Sequence, residues 1–564
     1  MRKYFFQLHE RFQLIILASI VGLCGGLGSV ALNRSLDIVF DWLQSYRDHW
    51  YSFLFPAAGA AISSIFLTKI VNDGGGQGVP DVINSISHHG GLLRFRSSFS
   101  RLVACLLTIS SGGSAGPEAP VVISGASIGS NIGTYFRLKD RQRVIVVGCG
   151  AAAAIAAIFN APVTGIVFTL EAILGEWSKL NLIPVAIASV VGTEVSRLLQ
   201  GNQIPFKYHP DVISLWNLGA CLGLAVITAL GSVVLIRSLR FIQNQSIKTI
   251  PIGWLSAATG GLIVGLIGLE FPAALGEGYE VIRSIIGENY SASLWILGLT
   301  ALAKIIATSL TIGSGGSGGL FAPCLVIGSF TGQFYYTLLT TALPTLPWAG
   351  GGYFALLGMA GLISGVLQAP MTGVFLVAEL TGSYYFLISV VLVAVISVAL
   401  SSFFEPVSVY LQELASRGEF IKPRTDRHIL SQLNIHELLE KDCQIVYPEM
   451  RLKELIPIIR KSHRNYFTVE DSRSGKFLGM IHMDDIRTYL FDPHLLNTIL
   501  IEQVINRNTR HVSLEEDMTS VFKIFDETHT WSLPVVEDGK FLGLISKATI
   551  MDHYRKELQV NEEL

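Results

Sequence analysis

The chain has 564 residues, half of them apolar, with a mean hydropathy of +0.49 and a formal net charge of −2. This composition excludes an ordinary soluble enzyme and indicates a membrane protein, and the lack of net positive charge argues against a nucleic-acid partner. Of the 141 residues from 424 to 564, 41 are charged, against only 43 of the 423 residues before them. We therefore predict a lipid-embedded part, residues 1–422, and a soluble part, residues 423–564.

Apolar runs close to the length that crosses a bilayer occur throughout the first part. They are Phe12–Ala31, Leu54–Ile70, Leu182–Leu199, Leu215–Leu235, Leu294–Leu310 and Tyr385–Leu400. Shorter apolar runs interrupted by glycine and proline lie at Val121–Gly133, Val144–Phe159 and Met371–Thr381. Because broken helices are tolerated at membrane depth only where their ends are buried in protein or line a polar cavity, this pattern predicts a transport path. No small-residue cleavage pattern accompanies the first run, so we interpret it as a retained span.

Three glycine-rich segments precede short helices in this part. They are residues 74–80 (GGGQGVP), 112–117 (GGSAGP) and 315–323 (GGSGGLFAP). A helix N-terminus has free N–H groups and a partial positive charge, so several that converge form an anion site without a full cation. The lack of a full cation also favours release of the ion, since a Lys or Arg side chain would hold the anion too tightly. Conduction needs weak, multiple sites.

The first part also repeats itself. Ala161–Gly165, with Glu171 six residues beyond it, recurs as Ala369–Gly373 with Glu379 at the same distance, an offset of 208 residues. Upstream, the glycine- and serine-rich run 119–129 recurs 203 residues later. Duplicated halves are typical of transporters, whose substrate site lies near the midplane between broken helices.

A second repeat lies in the soluble part. Residues 475–481 (GKFLGMI) recur as residues 539–545 (GKFLGLI), an offset of 64. Each copy predicts a strand, a turn, a second strand and a helix, with another helix before them. This β-α-β-β-α layout is that of a pair of CBS domains.

Taken together, these segments resemble the CLC family of chloride channels and transporters. Gly76–Pro80 is similar to the family's G-S-G-I-P, Gly113–Pro117 to its G-[KR]-E-G-P and Gly319–Pro323 to its G-x-F-x-P. Phe159–Glu171 resembles the helix that leads to the inner proton glutamate, and Ser408–Tyr410 the segment that supplies a tyrosine hydroxyl to the central anion. The resemblance covers nearly the whole chain in the family's order.

The resemblance implies an all-α polytopic membrane protein of CLC type, with two repeated halves of broken helices, and a cytoplasmic α/β domain formed by the CBS pair. The halves would span about 12–205 and 210–405, and the two CBS copies about 430–490 and 500–558. It also implies chloride or another small anion as the substrate, a lipid membrane (plasma or inner) as the location, and a homodimer. The protein would not be an enzyme.

By the same resemblance, backbone and side-chain donors around one point bind the central anion. They are drawn from Gln77, Gly78, Ser114, Ala115, Gly116, Gly319, Leu320, Phe321 and Tyr410. Gln77 stands where the family has serine. An amide still donates a hydrogen bond but is larger, so preference for fluoride or nitrate is an alternative to chloride.

Two departures bear on the mechanism. Ala115 replaces the family's gating glutamate, and Ala172 stands at the inner proton position, so neither residue can carry a proton. We therefore expect a passive channel or uniporter. The alternative is a proton-coupled antiporter in which Glu118, three residues beyond Ala115, is a displaced gate; otherwise Glu118 only complements its helix N-terminus. Glu171 is a candidate for a proton path, because ionisable residues in membrane helices are often functional, or it is a paired structural residue.

In the tail, a CBS nucleotide site normally has the pattern G-h-h-[ST]-x-x-D. At the [ST] position the first copy has His482 and the second has Ser546. At the D position the first copy has Asp485 and the second has Thr549, so each copy keeps one of the two features. The alternatives are an adenine nucleotide at the CBS pair and a purely structural tail. No other cofactor and no metal are expected, and the six cysteines have neither metal nor disulfide spacing.

Two readings from other classes compete. Residues 112–116 and 315–319 fit the hydrolase pattern G-x-S-x-G, but a serine protease also needs a membrane-buried histidine as base. The five histidines of the embedded part (His9, His49, His88, His89 and His209) lie in polar stretches. A CBS-containing divalent-cation transporter needs carboxylates lining its pore, and the glycine-rich segments have few.

Overall fold

The protein is represented by a computed structural model that describes residues 9–47, 49–73, 78–202, 205–206, 208, 214–290, 292–417, 433, 435–462 and 464–562. The chain forms two compact units, Met1–Phe420 and Ile421–Leu564. The domain boundary predicted after residue 422 lies outside the described residues and stays a prediction.

The first half of the membrane unit is all helical over its described residues. Its helices are α1 (Glu10–Arg47), α2 (Phe55–Ile65), α3 (Val79–His88), α4 (Ser97–Ser110), α5 (Glu118–Tyr135), α6 (Asp140–Phe159), α7 (Pro162–Phe168) and α8 (Lys179–Gln200). A 3-10 turn, Ser52–Leu54, precedes α2, and π turns at Phe66–Val71 and Thr169–Ile173 extend α2 and α7.

The second half of the membrane unit is also all helical over its described residues. Its helices are α9 (Leu215–Thr249), α10 (Gly253–Glu270), α11 (Tyr279–Ile286), α12 (Leu294–Gly313), α13 (Phe321–Ala342), α14 (Gly351–Leu367), α15 (Pro370–Thr381), α16 (Leu387–Phe404) and α17 (Val409–Ser416). A 3-10 turn, Pro272–Ala274, follows α10.

Eight helical segments of the described residues are long and apolar enough to cross a membrane, so the protein is a multi-pass membrane protein. Five of the six predicted spans lie within one of these segments, and Tyr385–Leu400 begins two residues before its segment, which starts at Leu387. Val144–Phe159 was wrongly predicted to be a short broken helix, because α6 begins earlier, at Asp140. The charges in its first turn hid that start: Arg143 pairs with Asp140 at 2.7 Å and donates to the Gly90 carbonyl at 2.7 Å.

The tail unit contains two small sheets. Its elements are α18 (Ile435–Leu438), β1 (Ile445–Val446), α19 (Leu452–Lys461), β2 (Tyr466–Glu470), β3 (Phe477–His482), α20 (Met483–Ile486), α21 (Pro493–Thr498), α22 (Ile501–Val504), α23 (Met518–Thr528), β4 (Ser532–Glu537), β5 (Lys540–Ser546) and α24 (Lys547–Glu562). Strand β2 pairs parallel with β1 and antiparallel with β3, and β4 pairs antiparallel with β5. Each sheet has its own apolar core.

The two tail copies meet through their repeated turns. The Phe477 N–H donates to the Gly539 carbonyl at 2.9 Å, and the rings of Phe477 and Phe541 stack at 6.2 Å. The repeated motif therefore joins the two copies as well as forming a strand in each.

In the membrane unit, glycines allow close helix crossings at two equivalent places. A Cβ at Gly150 of α6 would overlap the Gly125 carbonyl of α5, and a Cβ at Gly358 of α14 would overlap the Gly328 carbonyl of α13. These pairs are related by the same offsets, 203 and 208, as the sequence repeats. Backbone contact of this kind is typical of membrane helices, which associate through small residues.

We expect Gly150→Ala and Gly358→Ala to destabilise the protein by about 1–3 kcal/mol each, because the added methyl group must displace a backbone carbonyl. Thermal unfolding in detergent, followed by the loss of the monodisperse chromatographic peak, measures the effect. Gly219→Ala is the matched control, since a Cβ at that α9 position meets nothing within 4 Å. Equal melting curves for all three variants would contradict the role of the crossings.

Candidate functional site

The glycine-rich segments before α5 and α13 pair with each other. The Gly116 N–H donates to the Gly319 carbonyl at 2.9 Å, and the Gly319 N–H donates to the Gly116 carbonyl at 2.7 Å, as in a two-residue antiparallel ladder. Both were predicted to lie at the anion site. They lie at the meeting point, and their N–H groups are bonded to each other's carbonyls in this structure, so their predicted role as anion ligands stays a prediction.

Hydroxyl groups from the opposite half fix each loop. Thr311 of α12 accepts from the Ser114 N–H at 3.0 Å, and Thr108 of α4 accepts from the Ser317 N–H at 3.2 Å. The Ser114 hydroxyl bonds to Thr308 at 2.9 Å. Ser114, predicted as an anion ligand, therefore has its N–H and hydroxyl engaged in holding the two halves together.

The pairing brings the N-termini of α5 and α13 together. A Cβ at Gly319 would lie 2.9 Å from the Ala119 nitrogen, so only glycine permits this approach without displacement. Leu320 and Phe321 are fully buried at the start of α13. The Phe321 ring packs against Phe168 at 5.0 Å and Phe159 at 6.0 Å between centroids. Two helix N-termini thus point into one apolar enclosure, which favours an anion there.

Glu118 places its carboxyl group at this meeting point. The side chain is fully buried, and Oε1 accepts a hydrogen bond from the Tyr279 hydroxyl at 2.8 Å. Oε2 has no hydrogen-bond partner among the described residues, and it lies against Gly116 and close to Gly319, which precedes α13. The carboxylate therefore reaches beyond its own helix and occupies an environment suited to an anion.

Ala115 cannot act in this way. It is fully buried, and a Cβ at Gly318 would collide with its methyl group, so the residue packs tightly against the opposite loop. The space at this position is filled by backbone. The ionisable group nearest to it in sequence is Glu118.

Tyr410 lies in α17, which packs against α3 and α14 and is capped by the Ser408 hydroxyl. Its side chain is 1% exposed, and its hydroxyl has no hydrogen-bond partner among the described residues. A buried hydroxyl without a partner is unfavourable, so it is a donor available to a ligand. Gly78 precedes α3 with φ +90 and faces Ile123 of α5, whereas Gln77 lies outside the described residues.

Glu171 and Glu379 cap helices of the opposite half. Glu171 accepts from the N–H groups of Met371 (3.1 Å) and Thr372 (2.8 Å) and from the Thr372 hydroxyl (2.7 Å) at the start of α15. Glu379 accepts from Val163, Thr164 and the Thr164 hydroxyl at the start of α7, at 2.6–2.9 Å. This exchange supports the structural reading of Glu171. Ala172, beside it, packs half-buried against the core.

A cavity of about 1200 Å³ lies beside the site, and Glu118 is not among its lining residues. Tyr279 and Glu277 line it, together with Pro117 and Phe159 from the loops around the site. Lys304 of α12, fully buried, donates to the carbonyls of the loop before Tyr279. Sequence reasoning missed Tyr279 and Lys304 because neither lies in a glycine-rich motif.

In the tail, the predicted nucleotide residues of the second copy are bonded to a carboxylate. Glu440 accepts from the Ser546 hydroxyl at 2.7 Å and from the Thr549 hydroxyl, and it pairs with Arg464. In the first copy, His482 lies 3.4 Å from Asp484 and its ring is 4.5 Å from that of Tyr466. Asp485 lies in α20, one residue further on.

Comparison with known proteins decides the family. The family described as voltage gated chloride channel matches residues 59–402, and CBS domains match residues 435–492 and 501–556. The chain belongs to the voltage-gated chloride channel (CLC) family. The predicted resemblance and fold class are confirmed.

Three similar proteins illustrate the range of the family. A protein from Ralstonia nicotianae named putative chloride channel protein ClcB-like is 27% identical over 71% of this chain and 96% of its own length. The H(+)/Cl(−) exchange transporter ClcA of Klebsiella pneumoniae is 26% identical over 69% of this chain and 85% of its own. The solved structure of a eukaryotic CLC transporter covers 95% of this chain and 97% of its own, with a TM-score of 0.63 and 18% identity.

We expect Glu171→Ala to destabilise the protein by about 1–3 kcal/mol, since two N–H groups and a hydroxyl at the start of α15 lose their acceptor. Glu379→Ala should have a similar effect through α7. Glu176→Ala, on an exposed residue five positions along from Glu171, is the control and should leave the melting temperature in detergent unchanged. A Glu171→Ala protein that melts like wild type would show that the cap is dispensable.

Proposed function

We propose that this CLC protein moves chloride or a similar small anion passively along a pathway between the N-termini of α5 and α13. The observation that carries the proposal is the buried Glu118 carboxyl group at that point. A site that holds the protein's own carboxylate between two helix N-termini has the electrostatic character that an anion requires. The buried Tyr410 hydroxyl provides a further donor.

Glu118 acts as the gate in this proposal. While it is ionised, its carboxylate competes with the transported anion for the helix N-termini. Protonation removes the negative charge and hence the reason for the side chain to stay there. Anion flux should therefore rise as the pH falls.

Passive transport is favoured over coupled exchange because the inner end of a proton route lacks a free acid. Ala172 has no ionisable group, and Glu171 is engaged by three donors at the start of α15. These bonds fix the carboxylate against the start of α15. It is poorly suited to taking up and releasing protons in each cycle.

Proton-coupled exchange with Glu118 as a displaced gate is the second candidate. Glu118 is ionisable and lies at the two helix N-termini, and the Klebsiella relative is named an H(+)/Cl(−) exchange transporter. We place it second because this route would need a proton carrier on the inner side of Glu118, and Ala172 at the inner position cannot carry a proton.

We also propose a homodimer with one pathway per subunit, in the plasma or inner membrane, with the tail in the cytoplasm. In the tail, we propose a structural role without nucleotide, because Glu440 already bonds both hydroxyls of the second copy.

The transport test is chloride efflux from liposomes containing the purified protein, recorded with external pH. We expect chloride efflux without proton movement beyond leak, and faster efflux at lower pH. Glu118→Gln should remove the pH dependence and give, at neutral pH, a flux at least as large as the wild-type flux at low pH. Glu270→Gln, an exposed residue at the end of α10, is the control and should behave like wild type.

Stoichiometric proton uptake with chloride efflux would overturn the passive mode and favour exchange through Glu118. A Glu118→Gln protein with wild-type flux and pH response would overturn the gate. Repeating the assay with nitrate or fluoride gives the anion preference, and absence of flux with every anion would contradict the transport proposal itself.

For the tail, calorimetric titration of the full chain with ATP, ADP and AMP should give no heat beyond dilution, because the Glu440 carboxylate already bonds the Ser546 and Thr549 hydroxyls. A saturable heat that disappears in Ser546→Ala would contradict this prediction.

A further inference from the structure

The contact between Tyr279 and Glu118 joins two parts of the chain 161 residues apart. Tyr279 is the first residue of α11 and follows Gly278, whose φ is +84. Its hydroxyl donates to Glu118 Oε1 at 2.8 Å, the one hydrogen bond of good geometry that the Glu118 carboxyl accepts among the described residues. A hydrogen bond to an ionised group is about twice as strong as one between neutral groups. The contact therefore favours the ionised form of Glu118 in its observed position.

The loop that carries Tyr279 is fixed from two sides. The buried Lys304 ammonium donates to the carbonyls of Gly276 at 2.7 Å and Ala274 at 3.2 Å. The Gly276 N–H donates to the Gly112 carbonyl, in the loop before α5, at 3.2 Å. The position of the tyrosine relative to Glu118 is thus set by α12 and by the glycine-rich loop itself.

Tyr279 contacts both Glu118 and the open space of a cavity. It lines the cavity of about 1200 Å³ together with Glu277, whereas Glu118 is 0% exposed. Its ring packs against Phe206, with centroids 6.3 Å apart. For the Glu118 side chain to move toward the cavity, its hydrogen bond to Tyr279 must first break.

We propose that Tyr279 is the positioning residue that latches ionised Glu118 across the anion pathway. This inference rests on the gate role proposed for Glu118. When Glu118 takes up a proton, its oxygen becomes a weaker acceptor, the bond to the tyrosine hydroxyl loses most of its advantage, and the side chain is released. Tyr279 touches the gate and not the transported anion, so it sets the pH at which the pathway opens.

Other titratable groups face Glu118 and remain in place when Tyr279 is changed. Those that interact with it electrostatically are Cys105 of α4, Glu277 of the α11 loop, Cys324 of α13 and Tyr410 of α17. Because these groups are common to the variants compared, a change in the pH profile on losing one hydroxyl reports on the Tyr279 bond.

The test is chloride efflux from liposomes at a series of pH values for wild type, Tyr279→Phe, Glu118→Gln and the double variant. Removing the donor destabilises the carboxylate, so Glu118 should take up its proton at higher pH. We expect the midpoint of the pH dependence to rise by about one unit, and neutral-pH flux to rise with it. In the double variant, Tyr279→Phe should add nothing to Glu118→Gln.

Tyr353→Phe is the matched control. That hydroxyl is also buried and donates to Ser389 at 2.7 Å, but it lies in α14, and its loss should leave the pH midpoint unchanged. If Tyr279→Phe does not give a monodisperse protein, Tyr279→Leu removes the same donor and should shift the midpoint in the same direction.

The outcomes separate the latch from the gate. A Tyr279→Phe profile that coincides with wild type, while Glu118→Gln is independent of pH, overturns the latch and leaves the gate. A Tyr279→Phe effect of equal size in the Glu118→Gln background overturns the latch as well, since the tyrosine would then act elsewhere. A wild-type pH profile in Glu118→Gln overturns the gate, and the latch with it.

Discussion

The antiparallel pairing of Gly116 with Gly319 is the constraint on which the rest of the membrane unit depends. Two backbone hydrogen bonds hold the loops before α5 and α13 face to face, so both helices start at one point. Each helix N-terminus has N–H groups that its own helix cannot satisfy. Because both sets point into the same buried space, their partial positive charges add there.

Such a pairing leaves no room for side chains, and each half of the membrane unit supplies a glycine to it. Glycine stands wherever the two backbones touch, and threonines from the opposite half, Thr108 and Thr311, bond the loop N–H groups. At the other broken helices, Glu171 and Glu379 cap α15 and α7 in the same reciprocal way. Each half therefore completes the helix ends of the other, which explains why neither half has a satisfied set of polar groups alone.

The sequence predicted the features that depend on local pattern. The apolar runs located six of the eight candidate spans of the described residues and missed Asp140–Phe159 and Gly253–Glu270. The repeats at offsets of 203 and 208 located the loops that meet. The sequence could not predict contacts that depend on how distant segments fold together. Tyr279 lies in an ordinary loop, and only the tertiary structure brings its hydroxyl to Glu118. In the tail, Glu440 is more than 100 residues from Ser546, so the motif at Ser546 alone suggested an open site.

The position of the gate follows from helix geometry. In an α-helix each Cα–Cβ bond tilts toward the N-terminus, so a side chain in the first turn reaches back over the residues that precede the helix. Glu118 opens α5, and its carboxyl group accordingly lies against Gly116, two residues earlier in the chain. A carboxylate at position 118 thus reaches, from inside the helix, back to the loop that contains Ala115 and Gly116. Ala115 itself packs against Gly318 and has no ionisable group, so Glu118 is the acid that reaches this loop.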